Sequence, residues 1–188
     1  MKRESNTVRW ALMSLVAALL APLPSAADDV RVLSVSARVR FSGTNVLGAV
    51  PAEEFREYDV AANIGLPWAR YSESGWGVGT RLITSAGILN GAGDNALVAS
   101  LIPVLAFGSQ DGRFTLDFGA GGALLSKHHF GSQDFGGTFQ FALTAGLGVP
   151  LSEHIGAGYR FLHYSDASLY GPNTTGADLH MLEILYLF

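Results

Sequence analysis

Within the candidate strand 32–41 the side chains alternate from residue 34 onward: Val35, Ala37, Val39 and Phe41 are apolar, while Ser34, Ser36, Arg38 and Arg40 are polar. Successive side chains of a strand point to opposite faces, so this segment predicts a strand with one apolar face and one face carrying two arginines. Two architectures accommodate it. In a soluble sandwich the apolar face is the core; in a small membrane barrel that face meets lipid and the arginines fill the lumen. Composition separates the two. The chain of 188 residues is 48% hydrophobic and only 15% charged. A helical membrane protein of that composition needs apolar runs of about 20 residues, and only residues 10–23 come near. Elsewhere apolar residues are dispersed among polar ones and among 23 glycines without collagen-like period, as suits strands that bend and pack closely.

The same reading continues along the chain and predicts an all-β fold, a single eight-stranded antiparallel transmembrane β-barrel. The further candidate strands are 56–64, 75–85, 96–107, 113–125, 137–149, 154–165 and 178–188. Longer loops are expected at 42–54, 87–95, 126–136 and 166–177, with shorter turns at 108–112 and 150–153; the turn 65–74, which contains Pro67, is long for its place. Long loops outside and short turns in the periplasm are the habit of outer-membrane barrels. The ending Leu185-Tyr186-Leu187-Phe188 resembles the C-terminal signal that the barrel assembly machinery reads, which makes that machinery an expected partner.

Ahead of the barrel, residues 1–27 read as a secretory signal peptide. Lys2 and Arg3 form its positive region, residues 11–20 its apolar region, and Ser25-Ala26-Ala27 a small-residue cleavage site before Asp28. Pro22 and Pro24 would break a membrane-spanning helix there. The domain reading is therefore 1–27 signal and 28–188 barrel. The chain has no cysteine, which excludes disulfides and thiolate metal sites. A net charge of -4 gives no basic footprint for nucleic acid.

The candidate site lies on the last hairpin. In the seventh candidate strand Arg160 and the glycines mark the lumen side, so Ile155, Ala157, Tyr159, Phe161, His163 and Ser165 form a stripe facing lipid. Near its outer end this stripe changes from aromatic to His163 and Ser165, two residues apart on one face, where imidazole can take a hydroxyl proton. If Phe188 faces lipid, then so do Tyr186, Ile184, Leu182, His180 and Asp178, whereas Glu183 points inward toward a luminal arginine such as Arg160. Asp178 then begins the last strand on the same face as His163 and Ser165, in position to orient the imidazole. The plain alternative is that histidine and serine merely mark the headgroup boundary of a structural barrel.

At these residues the chain resembles the outer-membrane lipid A 3-O-deacylases, the PagL family. The segments are Gly158-Tyr159-Arg160-Phe161-Leu162-His163-Tyr164-Ser165, then Pro172-Asn173, then Gly176-Ala177-Asp178, with FGGTFQF at 135–141 also similar. The resemblance implies an eight-stranded barrel in the bacterial outer membrane with a serine nucleophile, a histidine base and an acidic partner. It implies as substrate the ester-linked acyl chain at position 3 of lipid A, the lipid of lipopolysaccharide, without a cofactor or metal. Carried onto this sequence, the catalytic residues are Ser165, His163 and Asp178, and Asp166, Ala167 and Asn173 are candidates for binding substrate or oxyanion. Two positions depart from the family pattern. Asp178 stands where glutamate is common, and Asp166 where asparagine is common, so a negative charge there would oppose a developing oxyanion unless it is turned away. Backbone N–H groups around Ala167 and Ser168 are the substitute donors.

Other candidates carry less. His128-His129 lack ligands at a convincing spacing, and His154 reads as an interfacial residue. His180, Lys127 and Arg40 could each meet a substrate phosphate. The competing function is a non-catalytic structural or adhesive barrel. A pore is disfavoured, because eight strands leave a lumen filled by side chains.

Overall fold

The computed structural model describes residues 30–43, 45–47 and 51–188; the expected signal peptide lies outside them. Among the described residues ten strands follow in order: β1 (Arg31–Ser42), β2 (Phe55–Tyr71), β3 (Trp76–Gly91), β4 (Asp94–Ser109), β5 (Thr115–Leu125), β6 (His129–Phe130), β7 (Gln133–Asp134), β8 (Phe139–Pro150), β9 (Ile155–Ser165) and β10 (Ala177–Leu187). Eight close into a barrel in the order β1-β10-β9-β8-β5-β4-β3-β2, and β6 and β7 form a small separate hairpin. Every neighbouring pair is antiparallel, and β1 closes the ring through Val35 opposite both Tyr186 and Ala62. Closure leaves no open edge, which is what lets strands cross a hydrocarbon layer.

The phase follows the alternation. In β1, Ser34, Ser36, Arg38 and Arg40 are buried in the lumen, and Val35, Val39 and Phe41 are exposed on the wall. Around the wall Val60, Leu97, Leu101, Leu116, Phe118, Leu182 and Ile184 are likewise exposed. An apolar outside around a charged inside is the inverse of a soluble protein, and it is the surface a bilayer demands.

Two connections differ from expectation. Residues 65–74 are mostly strand: β2 continues to Tyr71 through an irregularity between Gly65 and Ala69, leaving a short turn in which Gly75 N–H donates to Ser72 O (2.9 Å). Pro67, without an N–H, falls within the irregular stretch, where no ladder bond is lost. The expected loop 87–95 is a tight turn as well. β3 runs to Gly91 and β4 starts at Asp94, with Ala92 (φ 49°) and Gly93 (φ 81°) as the two left-handed central residues a twisted hairpin favours.

The interior has two layers. At the end bearing the long loops it is apolar, with Phe55, Leu89, Leu125, Phe130, Phe135, Leu162 and Leu179 in one core. Phe130 and Phe135, either side of β7, pack on Phe55 with ring centroids 5.5 and 5.4 Å apart, which seats the β6–β7 hairpin on the barrel mouth. Below this lie charges. Arg38 donates to both oxygens of Asp59 (2.5 and 2.7 Å), and Arg40 donates to Glu57 and to the Tyr164 hydroxyl (2.8 Å). Arg160 donates to both oxygens of Asp117 (2.5 and 2.9 Å) and lies 3.9 Å from Glu183. A one-residue slip of β9 or β10 would push Arg160 or Glu183 into lipid, so these buried pairs hold the phase of the last hairpin.

Candidate active site

β9 and β10 pair without a break from Ala177 opposite Tyr164 to Tyr186 opposite Ile155. Within that ladder Asp178 stands directly opposite His163. Both point outward, and Nδ1 of His163 lies 2.5 Å from Oδ1 of Asp178. A neutral imidazole held through Nδ1–H presents Nε2 as its acceptor, the state a general base requires. Ser165 follows two residues later on the same face, where β9 ends opposite Phe141 of β8. The strand alternation therefore brings all three sequence-predicted residues to one patch at the loop end of the wall.

Asp178 is 1% exposed although it faces outward. The cover is the β1–β2 loop, whose Val46 and Leu47 backbone N–H groups donate to Oδ2 (2.5 and 2.8 Å). One oxygen is thus held by the loop, and the other is left for the imidazole. Nothing in the sequence marks these donors: they are backbone groups, some 130 residues from the acid, in a stretch that reads only as a loop.

Asp166 is turned away from the serine. Its carboxylate accepts from Ser168 N–H (3.0 Å), Tyr170 N–H (3.1 Å) and the Thr174 hydroxyl (2.9 Å), so its charge is engaged within the β9–β10 loop. Those bonds support Ala167 and Ser168 in left-handed conformations (φ 50° and 64°), each strained for a residue with a Cβ by about 1–2 kcal/mol. The turn aims the Ala167 N–H at Ser165 Oγ, 3.1 Å away. Asn173 is exposed further along the same loop, away from the hydrogen bonds that build the patch.

The secondary candidates separate in the same way. Arg40 is turned into the lumen onto Glu57, Asp59 and Tyr164, because its phase in β1 is that of Arg38; it is not available to a phosphate. Lys127 pairs with Asp94 (2.7 Å). His128 and His129 both face Asp134 (3.3 and 3.7 Å), and His154 Nδ1 lies 3.2 Å from Leu187 O. His180 stays on the outer wall, stacked on Phe41 and 2.5 Å from the Tyr159 hydroxyl through Nδ1. Glu183 faces the lumen beside Arg160, as its phase predicts.

Comparison with known proteins gives three findings. A family model described as lipid A 3-O-deacylase (PagL) matches residues 56–186. The lipid A deacylase PagL of Bordetella bronchiseptica is 33% identical over 90 residues, 48% of this chain; the match spans about half of that relative, 49% of its length. The crystal structure of the outer membrane enzyme PagL superimposes with a TM-score of 0.65 at 21% identity, over 82% of this chain and 99% of that one.

Proposed function

Because the chain belongs to the lipid A 3-O-deacylase (PagL) family, we propose that it hydrolyses the ester-linked acyl chain at position 3 of lipid A, in the outer leaflet of a bacterial outer membrane, with Ser165, His163 and Asp178 as its catalytic residues. The observation that carries this reading is the pairing of His163 with Asp178 at 2.5 Å on the lipid-facing wall, beside Ser165. An acyl chain in a bilayer reaches such a patch by lateral diffusion, so the filled lumen is no obstacle.

The chemistry follows from the arrangement. Ser165 Oγ attacks the ester carbonyl carbon while His163 Nε2 accepts its proton, and the carbonyl electron pair moves onto oxygen. Asp178 holds the imidazole ring and stabilises the imidazolium formed in that step. The developing oxyanion sits near the Ala167 N–H, which already points at Oγ. Collapse breaks the ester bond, and His163 returns the proton to the sugar oxygen as it leaves. Water, deprotonated by His163, then attacks the acyl-serine carbonyl; collapse breaks the acyl–Oγ bond, His163 returns the proton to Ser165 Oγ, and the fatty acid leaves. Asp166 at the usual asparagine position is compatible with this course, since its carboxylate is occupied by three donors of the loop.

The test is incubation of purified, folded protein with lipid A, followed by mass spectrometry. The wild-type protein is expected to release one hydroxy fatty acid from position 3, and Ser165→Ala and His163→Ala to release none. An inactive wild-type protein indistinguishable from Ser165→Ala would leave a non-catalytic barrel as the better reading.

A further inference from the structure

Gln133 lies in β7, outside the barrel wall, and is fully buried. All of its amide hydrogen bonding goes to the backbone of two other loops. Oε1 accepts from Ala52 N–H (2.9 Å), and Nε2 donates to Thr175 O (2.8 Å) and Gly176 O (3.2 Å). Both loops lead to the candidate site. Ala52 belongs to the β1–β2 loop, whose Val46 and Leu47 amides hold Asp178. Gly176 runs against the base: a Cβ built on it would lie 3.3 Å from His163 Cε1 and 2.3 Å from Tyr164 O.

We propose that Gln133 is a positioning residue for the deacylation, its carboxamide tying the loop that holds Asp178 to the Thr175–Gly176 segment that packs against His163. The inference rests on the catalytic reading above. Gln133 touches none of the three catalytic side chains and acts only through the backbones it joins. The residue type matters, because one acceptor and two donors at the end of a flexible stem match one N–H and two carbonyls. Neighbouring contacts run in the same sense. Ser132 donates through N–H (2.9 Å) and Oγ–H (2.7 Å) to Glu53 of the β1–β2 loop, and Thr175 N–H donates to Asp134 O (2.9 Å). The hairpin that carries Gln133 is seated independently by Phe130 and Phe135 on Phe55, so loss of the amide leaves it docked.

The experiment is steady-state deacylation of lipid A in detergent micelles, with folding checked by the heat-dependent gel shift of closed barrels. Gln133→Met, which keeps the volume and deletes the hydrogen bonds, is expected to lower kcat at least tenfold with KM within about twofold. His129→Ala, which removes an exposed contact with Asp134 in the same loop, is expected to match wild type. In an Asp178→Ala background, Gln133→Met is expected to cost clearly less than in wild type, because its arm to the β1–β2 loop acts through that acid; a merely structural role would be additive. If Gln133→Met fails the fold check, Ala52→Pro, which deletes the partner N–H, is read in its place. Wild-type kcat in the amide variant, or additivity with Asp178→Ala, overturns the proposal. An inactive Ser165→Ala beside a fully active Gln133→Met sinks this inference alone, whereas an active Ser165→Ala sinks the catalytic reading and this inference with it.

Discussion

His163 and Asp178 are direct cross-strand partners, and their facing atoms, Nδ1 and Oδ1, lie 2.5 Å apart on the outer wall of the barrel. The carboxylate reaches that position because its other oxygen is held from behind by the amides of Val46 and Leu47. Asp178→Ala removes the proposed orienting partner while the serine and imidazole remain. The expected loss in kcat is about a thousandfold or more, read as fatty acid released per folded barrel. Asp178→Glu keeps the charge but drives the longer side chain toward the β1–β2 loop; a loss of roughly tenfold is expected. Equal losses in the two variants would mean that carboxylate charge at this position is not what matters.

The β9–β10 loop supplies a second test. Asp166→Ala deletes the acceptor for Ser168 N–H, Tyr170 N–H and the Thr174 hydroxyl. The strained Ala167–Ser168 turn then relaxes and its N–H leaves Ser165, with an expected fall in kcat of about tenfold, the scale of a displaced oxyanion donor and below that of one removed outright. Asp166→Asn retains an acceptor for Ser168 and is expected to keep most of the activity. Kinetics on both variants at saturating substrate decide the point.

Arg160 tests the lumen. It sits between Asp117 and Glu183, and Arg160→Met leaves both carboxylates buried without their cation. Breaking a buried pair from one side costs about 3–5 kcal/mol. The barrel is expected to unfold at a clearly lower temperature in a heat-shift gel series. An unchanged transition would show that the luminal charges do not hold the hairpin in phase.

Two acids outside the wall link the loops to pH. The Ser132 N–H and hydroxyl hold the Glu53 carboxyl below its ordinary range. The Gly136 N–H does the same for Asp134, against a smaller opposing effect of burial and with help from His128 and His129. A lowered folded-state value means that the contact is fully present above the ordinary carboxylate range and is lost as pH falls through the folded value. Hydrogen exchange at Ser132 and Gly136, corrected for intrinsic rate, is therefore expected to be flat from neutral pH to about 5 and to quicken below about 4. Glu53→Gln is expected to remove the Ser132 part of that dependence.

The shared outer face of the candidate residues was legible in the alternation of β9 and β10. Arg160 and Glu183 must face inward, so His163, Ser165 and Asp178 must share the outer face, and period-two geometry transmits that phase along a strand. Loop lengths were less legible. Pro67 and the glycines near residue 91 read as turn signals, yet the first sits in a strand irregularity, while Gly91 ends a strand and Gly93 lies within a turn of only two residues. A turn residue announces a local bend without saying how far pairing continues on either side.

The sequence alone determined which face each strand residue takes, because side-chain direction is a local property of an extended chain and burial of arginine admits one answer. Only the tertiary structure decided what stands behind those residues. The amides of Val46 and Leu47 on Asp178, the carboxamide of Gln133 between two loops, and the turn of Asp166 away from Ser165 all join groups whose meeting depends on how the loops fold over the barrel mouth. The first two span 42 to 132 residues, and one partner of each bond is a backbone group that every residue possesses; no residue pattern can mark them in advance.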